Sequence, residues 1–132
     1  MNIQIFLKKK KTVKIPAPLV PSGLIAHTEK GYFYVKGNKK FKFISDRVVQ
    51  SWNLPVVDVN DEILNKFMSM GTLGFRDGTL IKDVSDGKIY LISDSKRRHI
   101  VDPSVLEWLD TEMIRAGQKE VLIHEEGDPL GE

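Results

Sequence analysis

Gly78-Thr-Leu-Ile-Lys-Asp-Val-Ser-Asp-Gly-Lys-Ile-Tyr-Leu-Ile-Ser-Asp-Ser-Lys-Arg-Arg-His-Ile-Val-Asp-Pro103 is the stretch whose reading decides the fold. A turn at Asp77-Gly78 introduces a short apolar strand, Thr79-Leu-Ile81. Asp86-Gly87 reverses the chain into Lys88-Ile-Tyr-Leu-Ile92, because glycine supplies the positive φ of a tight turn. Ser93-Asp94 reverses it again, and Lys96-Arg-Arg-His-Ile100 returns as a further strand. Asp102-Pro103 then starts a helix, with an N-cap acceptor directly before a proline whose missing N–H is not needed there.

The same order of signals occurs earlier in the chain at an offset of 56 residues. Tyr34 recurs as Tyr90 and Trp52 as Trp108, since 90 − 34 = 108 − 52 = 56. Gly31 recurs as Gly87, Asp46 as Asp102, Val49 as Val105 and Gly71 as Gly127. Self-similarity at a fixed spacing marks a duplicated supersecondary unit. The expected fold is therefore α+β, mainly β, with two tandem copies of a small β-hairpin or meander plus a short helix. Repeat 1 covers residues 21–74 and repeat 2 residues 75–132.

Gly31 and Gly87 serve the turns, and Asp46 and Asp102 are read as N-caps. Trp52 and Trp108 lie three residues beyond Val49 and Val105, so they share a helical face and are expected to roof the sheets. In the last third of repeat 1, Val56, Val57 and Val59 read as strand, and Asn60 could cap a short helix through Ile63, Leu64 and Phe67. The matching part of repeat 2, Glu120-Val-Leu-Ile-His124, reads as strand. Both repeats close with glycine-containing tails, Gly71–Gly74 and Gly127–Gly131.

Residues 1–20 are expected to form an extended N-terminal arm. Ile3, Ile5 and Leu7 alternate as a strand does, Lys8, Lys9, Lys10, Lys11 and Lys14 follow, and Pro16, Pro18 and Pro21 keep the chain extended. The arm is expected to lie on a partner or along the edge of the first repeat. Two repeats of roughly 55 residues each sit near the lower limit for independent folding, so shared cores or neighbouring subunits are expected to help.

Charge is distributed unevenly. Residues 1–50 hold 11 Lys and Arg against 2 Asp and Glu, or +9, while residues 51–132 hold 9 against 16, or −7. Unlike ends favour head-to-tail contact between copies, the arrangement that closes rings. Two solvated faces of a monomer are the alternative reading. The chain has no cysteine, so disulfides and thiolate metal sites are excluded. No apolar run approaches the roughly 20 residues of a membrane-spanning helix. The lysines of the amino-terminal segment follow its apolar stretch, the reverse of a secretory signal.

Candidate chemistry is sparse. His27, His99 and His124 lack a metal-ligand spacing, and His99 follows two arginines but corresponds to Phe43 in the first repeat. Asp77, Asp83 and Asp86 lack the alternating ligands of an EF-hand and fit turn chemistry instead. No enzyme, cofactor or metal site is expected. Lys39, Lys40 and Lys42, on a hairpin with Tyr32, Tyr34, Phe41 and Phe43 interleaved, join the arm lysines as partner-binding candidates. Basic strands bearing aromatics can bind single-stranded nucleic acid. A hairpin whose aromatics face the core and whose lysines guard an edge explains the same pattern.

The Tyr90-Leu-Ile and Lys96-Arg-Arg-His-Ile-Val-Asp-Pro103 segments together resemble a tandem repeat module of tailed-bacteriophage virion proteins and bacterial cell-surface proteins. The resemblance covers residues 77–109 well and 22–52 more loosely, with Phe41 and Phe43 departing from it. It implies a non-enzymatic structural or adhesive unit. With no export signal expected, the virion setting is favoured: a component of the tail, neck or baseplate region, assembled in the host cytoplasm. Its partners would be other virion or surface-assembly proteins, including copies of itself. A cell-wall or glycan-binding module using Tyr32, Tyr34, Tyr90 or the tryptophans is one alternative, and a nucleic-acid-binding protein using the basic half is the other.

Overall fold

Leu24-Ile-Ala-His-Thr28 forms β1, an apolar run buried on both of its faces. A strand of that kind must be hydrogen-bonded along both edges, because water cannot reach its backbone. Antiparallel β2 (Gly31–Lys36) satisfies one edge, with Leu24 opposite Val35 and Ala26 opposite Phe33. Parallel β4 (Val56–Asp58) satisfies the other, with Ala26 opposite Val57. A computed structural model describes residues 20–131, and the expected strand of the arm lies outside that range.

The chain is α+β with mostly strands, in two sheets with short helices. It divides into two units, each with its own sheet. The first comprises residues through Val49 together with Asn53–Leu73, and the second comprises Gln50–Trp52 and the chain from Gly74 onward. In the first unit β3 (Lys39–Phe43) completes a meander with β1 and β2, and α1 (Asp46–Trp52) leads the chain back to β4. Parallel neighbours need such a crossover. The short α2 (Asp61–Leu64) then leads to β5 (Met68–Leu73), parallel to β3, and the strand order is β4-β1-β2-β3-β5. Leu24, Ala26, Phe33, Val35, Val57, Val59 and Leu64 form a core on one face of this sheet.

The second unit repeats the plan. β6 (Leu80–Asp83), β7 (Ile89–Ser93) and β8 (Lys96–His99) form the meander, a 3-10 helix (Pro103–Trp108) follows, and β9 (Met113–Ala116) pairs parallel with β6. α3 (Gln118–Leu122) precedes two parallel bridges to the meander, Arg97 with Glu126 and Ile100 with Leu130. These bridges keep the register of β5 on β3, where Lys39 faces Met68 and Lys42 faces Thr72. Every one of the four positions is displaced by the same amount: 97 − 39 = 126 − 68 = 100 − 42 = 130 − 72 = 58.

The offset is thus 56 only as far as the second strand, where Leu24–Val35 corresponds to Leu80–Leu91. The first hairpin turns between Lys36 and Lys39, one residue past Val35, while the second turns between Ser93 and Lys96, two past Leu91. The extra residue on each side moves the return strand by two. His99 consequently matches Phe41, not Phe43, and both pack across the sheet on the tyrosine opposite: Tyr34 with Phe41 at 6.1 Å and Tyr90 with His99 at 5.5 Å.

The same shift corrects the expected caps and roofs. Ser45, not Asp46, is the N-cap of α1: its Oγ accepts from the Val48 N–H at 3.3 Å, and Asp46 is the exposed first helical residue. Asp102 caps the 3-10 helix as expected, accepting from the Ser104 N–H at 2.9 Å. Caps and buried valines now agree at 102 − 45 = 105 − 48 = 57, which places Leu109 opposite Trp52. One residue is about 100° of rotation in an α-helix and about 120° in a 3-10 helix, and Leu109 packs on the core of the second unit while Trp108 is 78% exposed. Trp108 therefore roofs nothing. Trp52 is half-buried and donates from Nε1 to the Gly74 carbonyl at 2.9 Å.

Two other expectations fail locally. Residues 118–122 are helix, not strand, because the Glu120 carboxylate reaches back to the Gly117 N–H at 2.8 Å and closes the first turn. The tail around Gly71 is strand β5, in which Gly71 at φ 126° accommodates the bulge opposite Lys40 and Lys42. If Ser45 is the cap, Ser45→Ala lowers unfolding free energy by about 1 kcal/mol, while Asp46→Ala costs at most a few tenths from the lost helix-dipole interaction. Urea denaturation of both variants checks the order.

Candidate functional site

Of the partner-binding candidates, Lys8, Lys9, Lys10, Lys11 and Lys14 lie outside the described residues. Lys39, Lys40 and Lys42 lie on β3, which is an interior strand between β2 and β5 and so guards no edge. Lys40 and Lys42 face the same side as Phe33 and Val35, their cross-strand neighbours. Their ammonium groups sit 5.6 and 5.9 Å from the centre of the Phe33 ring, and Lys40 Nζ also donates to the Leu64 carbonyl at 3.0 Å. Their apolar stems cover the core margin while the charges stay wet. Lys39 is exposed beside the hairpin turn.

His27 lies beside Asp58 across the β1–β4 pair, with Nδ1 2.8 Å from the carboxylate, and stacks on Tyr32 at 4.4 Å. The pair borders an open depression of about 640 Å³ whose lining includes Glu29, Asp61 and Glu62. Burial raises the Tyr32 pKa first, and the Asp46 and Asp58 charges raise it further. Among the described residues no group of three or more His, Asp or Glu side chains is placed to hold a metal. The three aspartates considered for calcium serve turns: Asp83 accepts from the Ser85 N–H and Oγ, Asp86 from the Lys88 N–H and Asp77 from the Ser95 N–H. The two Ser85 hydrogen bonds hold the Asp83 carboxyl below its usual range.

His124 is the most enclosed histidine, 3% exposed in the second unit. Its Nδ1 lies 2.7 Å from the Ser95 carbonyl and its Nε2 accepts from the Phe75 N–H at 2.9 Å. Only the neutral ring protonated at Nδ1 satisfies both partners, since a proton on Nε2 would face another N–H. Burial lowers its pKa, and this outweighs the opposing effects of the Ser95 hydrogen bond and the Asp77 charge. The ring also fixes Gly74, where an added Cβ would lie 2.4 Å from Nε2. His124 is a structural fastener, which its isolated place in the sequence did not reveal.

Sheet margins differ in how they are protected. β4 is three residues long, follows Pro55 and ends in Asp58. In the second unit the line equivalent to β5 contains Asp128 and Pro129 and is reduced to two bridges. β5 is blunted only by its bulge at Gly71: Met68-Ser-Met-Gly-Thr-Leu73 carries neither charge nor proline, and its first five residues are exposed. Met68 and Met70 are 57% and 44% exposed. Natural sheets normally blunt an edge with charge, proline, brevity or a bulge. No helix of the described residues is long and apolar enough to cross a membrane.

A depressed histidine pKa contributes stability that is fully present above the unfolded value of 6.5 and is lost as pH falls through the folded value. Acidification below pH 6.5 therefore weakens the protein before the aspartates titrate, and His124→Gln removes that part of the slope. Gly74→Ala, which drives a methyl into the buried ring, costs about 1–3 kcal/mol. Denaturation midpoints measured from pH 7.5 to about 5 check both. Compared with known proteins, the sequence matches no protein-family model and no curated relative.

Proposed function

We propose that this chain is a non-enzymatic structural component of a phage particle, in the tail, neck or baseplate region, acting through protein–protein contacts. The observation that carries the reading is β5, an exposed sheet edge without charge or proline. Such an edge is a template for another chain. The opposite charges of the two halves favour unlike surfaces meeting between copies. The virion setting rests on the resemblance of residues 77–109 to virion repeat modules. Wild-type protein is expected to self-associate with rising concentration in light scattering, and to be found by mass spectrometry in purified particles. A strictly monomeric protein with no partner in the particle overturns the reading.

Trp108 favours a second reading. An indole 78% exposed on a 3-10 helix offers a flat apolar face of the kind that stacks on sugar rings. A glycan-binding module predicts that Trp108→Ala abolishes retention on cell-wall polysaccharide without lowering the unfolding midpoint. Unchanged retention removes this option.

A further inference from the structure

We propose that the outer edge of β5 is the acceptor for an added strand, and that the strand is the Asn2–Leu7 segment of a neighbouring copy. The inference rests on the structural-subunit reading and names the surfaces that would join.

The acceptor is defined by comparison within one chain. β5 ends the sheet order β4-β1-β2-β3-β5, so no strand of the described residues pairs with its outer side. Its six residues give an edge long enough for several ladder hydrogen bonds, each of which exchanges a water partner for a backbone one. The corresponding line in the second unit carries Asp128 and Pro129 and makes only two bridges. A duplication would have supplied two equivalent edges, and only one now carries charge and proline.

The donor matches in length and pattern. Asn2-Ile-Gln-Ile-Phe-Leu7 is as long as β5, uncharged in its side chains, and places Ile3, Ile5 and Leu7 on one face at a period of two. An added strand would set those three residues over one face of the sheet margin. Lys8 to Lys11 follow the apolar stretch, beyond a ladder of that length, and so stay clear of the lysines on β3.

Reach permits the next copy as well as the chain's own edge. The described chain begins at Val20, packed against the first core, shortly before β1. Three strand spacings separate β1 from β5, about 14 Å. The twelve residues from Lys8 to Leu19 include Pro16-Ala-Pro18. A proline-favoured extended course spans about 3 Å per residue, or about 37 Å in all. A linker of that length can reach either edge, and the structural-subunit reading selects that of the next copy. One donor and one acceptor on different surfaces make the contact head-to-tail.

Complementation tests the pairing. One variant lacks residues 2–7 and keeps the edge; a second keeps the arm and carries Met70→Lys with Thr72→Lys, charges that oppose strand addition. Light scattering should show each variant monomeric alone and an equimolar mixture forming a one-to-one heterodimer, while wild type forms larger species. A synthetic peptide of residues 2–11 should bind the truncated variant and lose binding to a truncated form that also carries the two lysines. Should the edge variant fail to fold, the peptide's protection of β5 amides from hydrogen exchange in the truncated variant is the deciding measurement, and no protection overturns the inference. Self-association of the truncated variant equal to wild type also overturns it, while leaving the structural-subunit reading intact. A monomeric wild type overturns the inference, and with no partner in the particle it overturns the structural-subunit reading too; if its β5 amides lose protection on truncation, the arm closes on its own edge.

Discussion

Each unit depends on one constraint: its first strand is enclosed by sheet on both edges and must find backbone partners on both. Ile25 and Ile81, each fully buried, are the second residues of these strands. A tight hairpin supplies the antiparallel partner at once. The second partner must run parallel, which no short turn can achieve, so a helix has to carry the chain back. α1 does this in the first unit and the 3-10 helix in the second. The placement of β4, β9 and everything after them follows from that return.

The helix starts matter because they fix the rotation at which the return leaves the sheet. Ser45 and Asp102 both accept backbone N–H groups, and Val48 and Val105 both fall on the buried side as a result. Trp52 and Trp108 occupy equivalent positions by sequence offset but not by rotation. The tryptophan that follows the shorter hairpin meets the Gly74 carbonyl, and the other faces solvent.

The duplicated meander, the turn glycines at 31 and 87 and the Asp102-Pro103 cap were legible because each is a local demand on φ or on an orphan N–H. What was not legible depended on distant partners. A two-residue change in hairpin length is invisible in a fixed-offset alignment until the registers of later strands are known. The helical state of residues 118–122 depended on the Glu120 side chain turning back to Gly117. β5 was hidden by Gly71, which reads as a loop residue and here sits at a bulge. The inward course of Lys40 follows from the Leu64 carbonyl placed above it, a contact between residues 24 positions apart. The role of His124 likewise depends on Phe75 and Ser95, neither of them near it in sequence.

Duplication creates a difficulty that the divergence of the copies resolves. Two identical units would offer two identical unprotected edges, and a chain with two acceptors and one donor arm would branch instead of joining in one direction. Proline cannot donate to a ladder, and paired carboxylates repel an incoming strand less discriminately but at longer range. Pro129 with Glu125, Glu126 and Asp128 places both devices on the second unit's margin, where the fifth strand has dwindled to bridges at Glu126 and Leu130. The first unit kept a full fifth strand and gained none of these residues. Its core-side lysines are anchored over Phe33 and at Leu64, which leaves the strand beyond them unobstructed. In the joining proposed above, β5 would be the one long uncharged edge among the described residues, since β4 and β9 are shorter and carry Asp58 and Arg115.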